Sequence, residues 1–151
     1  METKFIAIEL KEYQTEAWAR VLDFAFKKSN LVQFVVVNSR QVSSIIEKKS
    51  DVIEDFTSNY RWFNKQLGKS RFVQIELNNY LKKEIRDVEC LEDWLFIYPE
   101  DPTFYLNVEL IIWTISHSKT VFINEKYYKK GLIKEEECNS INEVMYDLSN
   151  I

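Results

Sequence analysis

This chain of 151 residues is poor in several residue types on which common functional sites depend. It contains two glycines, two prolines, two cysteines and one histidine, whereas average usage predicts roughly ten glycines. A phosphate-binding loop needs glycine because side chains hold the backbone amides away from the phosphate. No glycine-rich loop follows any of the first three predicted strands, so the dinucleotide-binding and P-loop motifs are both absent.

The scarcity of histidine and cysteine argues against metal sites and nucleophilic catalysis. A single histidine excludes paired-histidine zinc motifs, and Cys90 and Cys138 are distant and form no CxxC motif. We expect both thiols to be reduced, as in a cytoplasmic protein, and Cys90 to be buried and inert. We interpret His117 as a polar turn residue. The alternative is a general base, which needs a nucleophile and an orienting carboxylate in reach. We therefore predict no catalytic residue, no metal and no cofactor.

Charge and hydropathy exclude two further classes of partner. The net charge is −4 and the sequence pI is about 5.2, which disfavours a nucleic-acid binder that neutralises phosphates. No apolar run is long enough to span a membrane, and the N-terminus does not have the pattern of a signal peptide. We therefore expect a cytoplasmic protein without nucleic-acid or membrane partners.

Apolar residues recur through the N-terminal half in a pattern that predicts strands alternating with helices. The hydrophobic content of 46% is enough for a core, and no linker divides the chain, so we expect one domain over residues 1–151. The longest predicted helix should break near Lys49–Asp51 and end before Gly68. The predicted strands are Lys4–Leu10, Leu31–Val37 and Arg71–Leu77, and the predicted helices are Lys11–Lys28, Gln41–Leu67 and Asn78–Cys90.

The C-terminal half favours strands joined by short turns. Residues 127–137 should be irregular or briefly helical, and Ser140 with Glu143 matches a capping box that would open a final helix. That helix would turn Ile141, Val144, Met145 and Leu148 inward. The whole pattern predicts an α/β or α+β fold with a mixed sheet: parallel strand–helix units in the N-terminal half, an antiparallel meander in the C-terminal half, and helices packed on the sheet. The predicted strands of this half are Trp94–Tyr98, Phe104–Leu106, Leu110–Ser116 and Thr120–Asn124.

Aromatic residues alternate with charged ones at positions that are hard to bury together. Such residues suit a protein-binding surface, because aromatic side chains provide contact area and carboxylates attract a basic partner. The alternative is that the aromatic residues cover the second face of the sheet and that the acidic ones are solvated surface. The candidate partner-binding residues are Trp62, Glu92, Asp93, Trp94, Glu100, Asp101, Tyr127 and Tyr128.

Residues 91–123 resemble the C-terminal part of small bacterial immunity proteins. The resemblance rests on Glu92-Asp93, on the Asp-Pro-x-Phe-Tyr motif from Asp101, and on the Trp-x-x-Ser-His motif from Trp113 to His117. Immunity proteins neutralise toxins that are encoded beside them by direct binding, and their contacts differ between pairs. The resemblance therefore implies occlusion of a toxin but assigns no catalytic residue, and the matched residues are equally compatible with a role in the scaffold.

Together these observations predict an inhibitor of a toxin or another enzyme that covers the active site of a basic protein partner. One alternative is a small hydrolase or nuclease in which Asp101, Glu109 or Glu125 converge with one another or with His117. Another is a regulatory or structural subunit that buries one sheet edge in an oligomer.

Overall fold

The chain forms a sheet with helices on one side. A computed structural model describes residues 2–37, 52–61, 64–95 and 98–148. Three single turns of 3₁₀ helix lie at Leu91–Asp93, Ser116–Ser118 and Glu135–Glu137. In chain order the longer elements are β1 (Glu2–Leu10), α1 (Thr15–Lys28), β2 (Leu31–Val36), β3 (Val52–Arg61), β4 (Asn64–Glu76), α2 (Asn79–Asp87), β5 (Glu100–Leu106), β6 (Glu109–Ile115), β7 (Thr120–Asn124) and β8 (Cys138–Asp147).

The sheet has the spatial order β3-β4-β2-β5-β6-β7-β1-β8, and all seven neighbouring pairs are antiparallel. The prediction of a mixed sheet with parallel strand–helix units is therefore wrong. β1 and β2 are not neighbours, because β7, β6 and β5 lie between them. A strand–helix–strand pattern in the sequence does not show whether the two strands are neighbours in the sheet. Here the C-terminal meander lies between β1 and β2.

Several local predictions are confirmed. β1, α1 and β2 lie where the periodicity placed them, and β5, β6 and β7 form the expected antiparallel meander. Asn78 caps α2, since its Oδ1 accepts a hydrogen bond of 2.8 Å from the backbone amide of Leu81. The segment before β8 is irregular, with Gly131 in the left-handed region at φ 95°.

The long helix predicted over Gln41–Leu67 is wrong where the structure describes it. Residues 52–61 and 64–67 belong to the antiparallel pair of β3 and β4, and Gly68 lies inside β4. Phe56 lies opposite Phe72, and their rings stack with centroids 5.3 Å apart. Apolar residues spaced three and four apart are typical of a helix, but pairing between β3 and β4 makes this segment extended. Residues 41–51 lie outside the described residues.

The predicted final helix is also wrong, because β8 occupies its place and pairs with β1 along nearly its whole length. Ile141 and Met145, which the helix would have buried, are 46% and 51% exposed. Val144 and Tyr146 instead pack on one face of the sheet at the two-residue period of a strand. The strand predicted at Trp94–Tyr98 is absent from the described part of that range, where a 3₁₀ turn ends at Asp93 and bends follow.

The sheet buries side chains on both faces. On the helix-covered face, residues of α1 and α2 pack against alternate residues of the central strands, including Phe34, Val73 and Ile123. The other face, here the aromatic face, has a smaller cluster formed by Phe5, Leu110, Trp113 and Phe122, with Tyr146 packed against it. Both cysteines are free and buried, which confirms the prediction of unpaired thiols.

No helix in the described parts of the chain is long and apolar enough to cross a membrane.

Candidate protein-binding surface

Four carboxylates lie together where α2 ends and the chain turns towards β5. Leu81, Ile85, Val88 and Leu91 are buried in the core and fix this segment to the sheet. The four carboxylates of this segment remain at least partly exposed, because a helix end followed by a 3₁₀ turn buries only the side that faces the sheet. We call them the acidic surface; its members are Asp87, Glu89, Glu92 and Asp93.

The acidic surface borders an open groove of about 380 Å³. Apolar and aromatic atoms of Val88, Leu95 and Tyr98 complete its lining, and no lysine or arginine lines it among the described residues. A groove that combines apolar surface with carboxylates fits a basic side chain that has a long apolar stem.

Cys90 is buried in the same segment. Burial raises the pKa of this thiol, and the charges of Glu92, Asp93 and Glu89 raise it further. The raised pKa favours the protonated thiol, and the predicted burial of Cys90 is confirmed, whereas its inertness stays a prediction.

Tyr13 joins the acidic surface from another part of the chain. Its backbone amide donates a hydrogen bond of 2.9 Å to Oε2 of Glu92, its φ is 56°, and its side chain is 72% exposed. The contact brings the backbone of a residue with an exposed aromatic side chain to Glu92. The sequence contains no signal for this contact, because 79 positions separate the two residues.

Two neighbouring cations already have carboxylate partners. Arg86 donates to Asp23 at 3.0 Å, and Lys83 lies 3.6 Å from Asp87 on the next turn of α2. Both pairs are well exposed, so each contributes little to stability. Among the described carboxylates of the groove, only Asp87 forms an ion pair with a lysine.

Trp94 and Asp101, two of the predicted partner-binding residues, lie in the interior. Trp94 is 0% exposed and stacks on Phe34 with ring centroids 5.3 Å apart. Asp101, with a φ of 52°, is also buried: its Oδ1 accepts from the Ser116 amide at 2.7 Å, and its own amide donates to Ser116 Oγ at 3.1 Å. Neither side chain is available to a partner, and Asp101 instead fixes the turn that carries His117.

The remaining candidates are dispersed. Glu100 is half-buried in β5. The Tyr127 hydroxyl donates to Glu109, while Tyr128 lines a different groove, beside β8. Trp62 lies outside the described residues. Of the predicted residues, only Glu92 and Asp93 share the groove. Asp87, Glu89 and Tyr13 were missed, although a count of carboxylates over residues 87–93 would have found the first two.

Of the carboxylates named for an alternative enzyme, Glu109 and Glu125 line one open groove together with Lys4 and Lys126, and Asp101 is not among its lining residues. Glu109 lies 3.2 Å from Lys126, Glu125 lies 3.5 Å from Lys4, and Asp101 is bound to Ser116. The Tyr127 hydrogen bond is the largest effect and lowers the pKa of Glu109; burial opposes it, and the hydrogen bond and charge of Lys126 lower the pKa further. His117 is exposed in its 3₁₀ turn. Within the described ranges, no three metal-ligating side chains are close enough together to hold an ion.

No protein-family model matches this chain, and no curated protein or solved structure compared with it is significantly similar.

Proposed function

We propose that this protein is a cytoplasmic inhibitor of the immunity type, which binds a basic toxin or another basic enzyme and covers its active site. The observation that supports the proposal best is the acidic surface: four carboxylates line a groove that also has apolar atoms in its lining, and Glu92 is bonded to the backbone of Tyr13, whose side chain is exposed. The sequence resemblance of residues 91–123 also supports it, and that segment contains Glu92 and Asp93 of the acidic surface.

Charge and contact have separate roles in this mechanism. The carboxylates attract a positively charged cleft over several ångströms and raise the association rate. Tyr13, Leu95 and Tyr98 then provide the close apolar contact that slows dissociation. Because the 3₁₀ turn and α2 are anchored in the core, the surface is already formed before binding and loses little conformational entropy.

The test is an association-rate measurement with the purified product of the adjacent open reading frame as the probe. For the wild type we expect the rate constant to fall roughly tenfold between low and moderate salt, because salt screens the attraction. In the double variant Glu89→Lys/Asp93→Lys the rate at low salt should fall at least about tenfold. The probe's enzymatic activity should be inhibited by the wild type and largely spared by the variant.

Glu135→Lys/Glu136→Lys is the matched control, since it makes the same change of net charge at two exposed residues on another part of the surface. It should reduce the association rate far less. Equal losses in the two double variants would show that net charge alone matters and would reject the acidic surface as the site. An association rate that does not depend on salt would reject the electrostatic mechanism.

A further inference from the structure

The outer edge of β8 is open. β8 is the last strand of the sheet and pairs with β1 from Glu2 opposite Asp147 to Leu10 opposite Cys138, with one register shift near Leu10. No strand among the described residues pairs with its other side. An open edge presents backbone N–H and C=O groups in the geometry that another strand needs.

Over residues 140–147 this edge lacks most of the features that normally prevent edge-to-edge pairing, and the one bulge of β8 lies before them, at Asn139. Proteins protect exposed edges with lysine, proline, bulges or very short strands. β8 is ten residues long and contains no lysine, arginine or proline. It also exposes about half of Ile141 and of Met145. Such a strand is suited to pairing rather than protected against it.

The strand is complementary to itself. Ile141 and Met145 lie two residues before and two residues after Glu143, so all three side chains project from the same face. If two copies pair antiparallel about a two-fold axis at Glu143, Ile141 of each copy lies opposite Met145 of the other. One register thereby covers all four exposed apolar side chains.

Charges near β8 fit the same register. The two Glu143 side chains face each other at its centre, but each lies 3.5 Å from the ammonium group of Lys4 in its own chain, which offsets their repulsion.

We propose that the protein forms a symmetric dimer in which two copies of β8 pair antiparallel about Glu143 and join the two sheets into one. The interface is isologous, as in most dimers with two-fold symmetry. None of the acidic-surface residues belongs to β8 or lines its groove, so dimerisation and binding of a basic partner can succeed or fail independently.

The first test is the molar mass of the purified protein over a range of concentrations, by sedimentation equilibrium. The mass of the wild type should double from 18.1 kDa as the concentration rises. Met145→Lys should raise the dissociation constant at least about tenfold, because it removes an apolar contact and adds a charge at the edge. Val108→Lys is the matched control: Val108 is 97% exposed in the turn between β5 and β6, and its replacement should leave the dimer intact.

The second test is the register. In Glu143→Cys the two new thiols lie directly opposite each other, with Cα atoms about 5 Å apart, and mild oxidation should link the copies. In Asn142→Cys the equivalent residues are diagonal neighbours at about 7–8 Å, too far for a disulfide. Equal linkage in both variants would overturn the proposed pairing.

Two other results would also overturn the proposal. One is a dimer that Met145→Lys leaves unchanged, while far-ultraviolet circular dichroism shows that the variant is folded. The other is a wild type that remains monomeric at every concentration; if Met145→Lys then weakens binding to the product of the adjacent open reading frame, the edge pairs with a foreign strand instead.

Discussion

The helix-covered face and the aromatic face of the sheet bury their large side chains in different ways. On the helix-covered face Trp94 lies between strand residues and the chain that follows α2, with Phe34 and Tyr98 at centroid distances of 5.3 and 5.6 Å. On the aromatic face Trp113 lies opposite Phe122 in the neighbouring strand, and their nearly parallel rings are 3.7 Å apart. One tryptophan is buried between layers, and the other is buried by cross-strand neighbours.

This difference shows two routes to burial in one sheet. A helix layer removes water by covering the strands, whereas cross-strand aromatic pairs cover one another. On the aromatic face Phe5 and Tyr146 meet Trp113 edge-on, at 6.4 and 5.4 Å. Tyr146 remains half-exposed, so this cluster borders solvent. We therefore expect the two faces to respond differently to the same truncation.

The largest effect should follow removal of the buried tryptophan on the helix-covered face. Trp94→Ala leaves a cavity between layers that cannot collapse, and we expect the free energy of unfolding to fall by about 4 kcal/mol. Urea denaturation measures the loss.

Trp94→Phe serves as the control. Nε1 of Trp94 has no hydrogen-bond partner among the described residues, so phenylalanine preserves much of the stack on Phe34 without losing a polar contact. It should cost less than half as much. A phenylalanine variant as unstable as the alanine variant would contradict this account of the site.

The corresponding truncation on the aromatic face should cost less. In Trp113→Ala the half-exposed Tyr146 can move into part of the vacated volume, so we expect a loss of about 3 kcal/mol. The same urea titration provides the comparison. A loss equal to or greater than that of Trp94→Ala would remove the distinction between the faces and show that the aromatic face is packed as rigidly as the main core.

A smaller, pH-dependent effect should come from the polar contacts that hold α1 to the segment before β8. Burial raises the pKa of Glu137, but the hydrogen bond and charge of Arg20 and the hydrogen bond from the Lys134 amide outweigh it, so the pKa is lowered from 4.5. The carboxylate accepts from the Lys134 amide at 2.8 Å and binds Arg20, which also donates to the Leu132 carbonyl at 3.0 Å. Glu137→Gln should cost about 1 kcal/mol near neutral pH.

The sign of the pH dependence follows from the lowered pKa. Ionised Glu137 stabilises the fold above about pH 4.5, and this contribution disappears as the pH falls through the lower pKa of the folded state. The difference between wild type and Glu137→Gln should therefore shrink on acidification, as urea titrations at several pH values would show. Glu136→Gln, at the exposed neighbour, should match the wild type throughout; a difference that grows in acid would contradict the ion pair.

Local signals predicted those elements whose conformation depends on nearby residues. The Asn78 cap, the apolar stripe of α1 and the turns between β5, β6 and β7 act over a few positions, so they could be read directly. The motif of Ser140 and Glu143 was equally local but misleading, because the edge of β1 was free to pair with that segment. Phe56 was assigned to a helix for a similar reason: its partner Phe72 lies 16 positions away.

The candidate surface was predicted only in part, because some of its residues are neighbours in the sequence and others meet only in the folded chain. Glu92 and Asp93 are adjacent in the sequence, and their exposure follows from a short turn that buries the neighbouring Leu91. Tyr13 reaches them only through the folded chain, while Trp94 leaves the surface because a strand distant in the sequence supplies Phe34 as a stacking partner. Burial of an aromatic residue depends on what faces it, which composition does not show.

The amino-acid sequence alone determined the lack of glycine-rich and histidine-pair motifs, the unpaired thiols and most of the strand and helix segments, since these depend on residue type and short-range periodicity. Only the tertiary structure decided that all neighbouring strands are antiparallel, that β8 forms an open edge, and that four carboxylates border one groove. Strand order and edge exposure depend on contacts between distant segments, whose energies compete with local helix propensity. Here those contacts prevailed in β3 and β4 and again in β8, where helices were predicted.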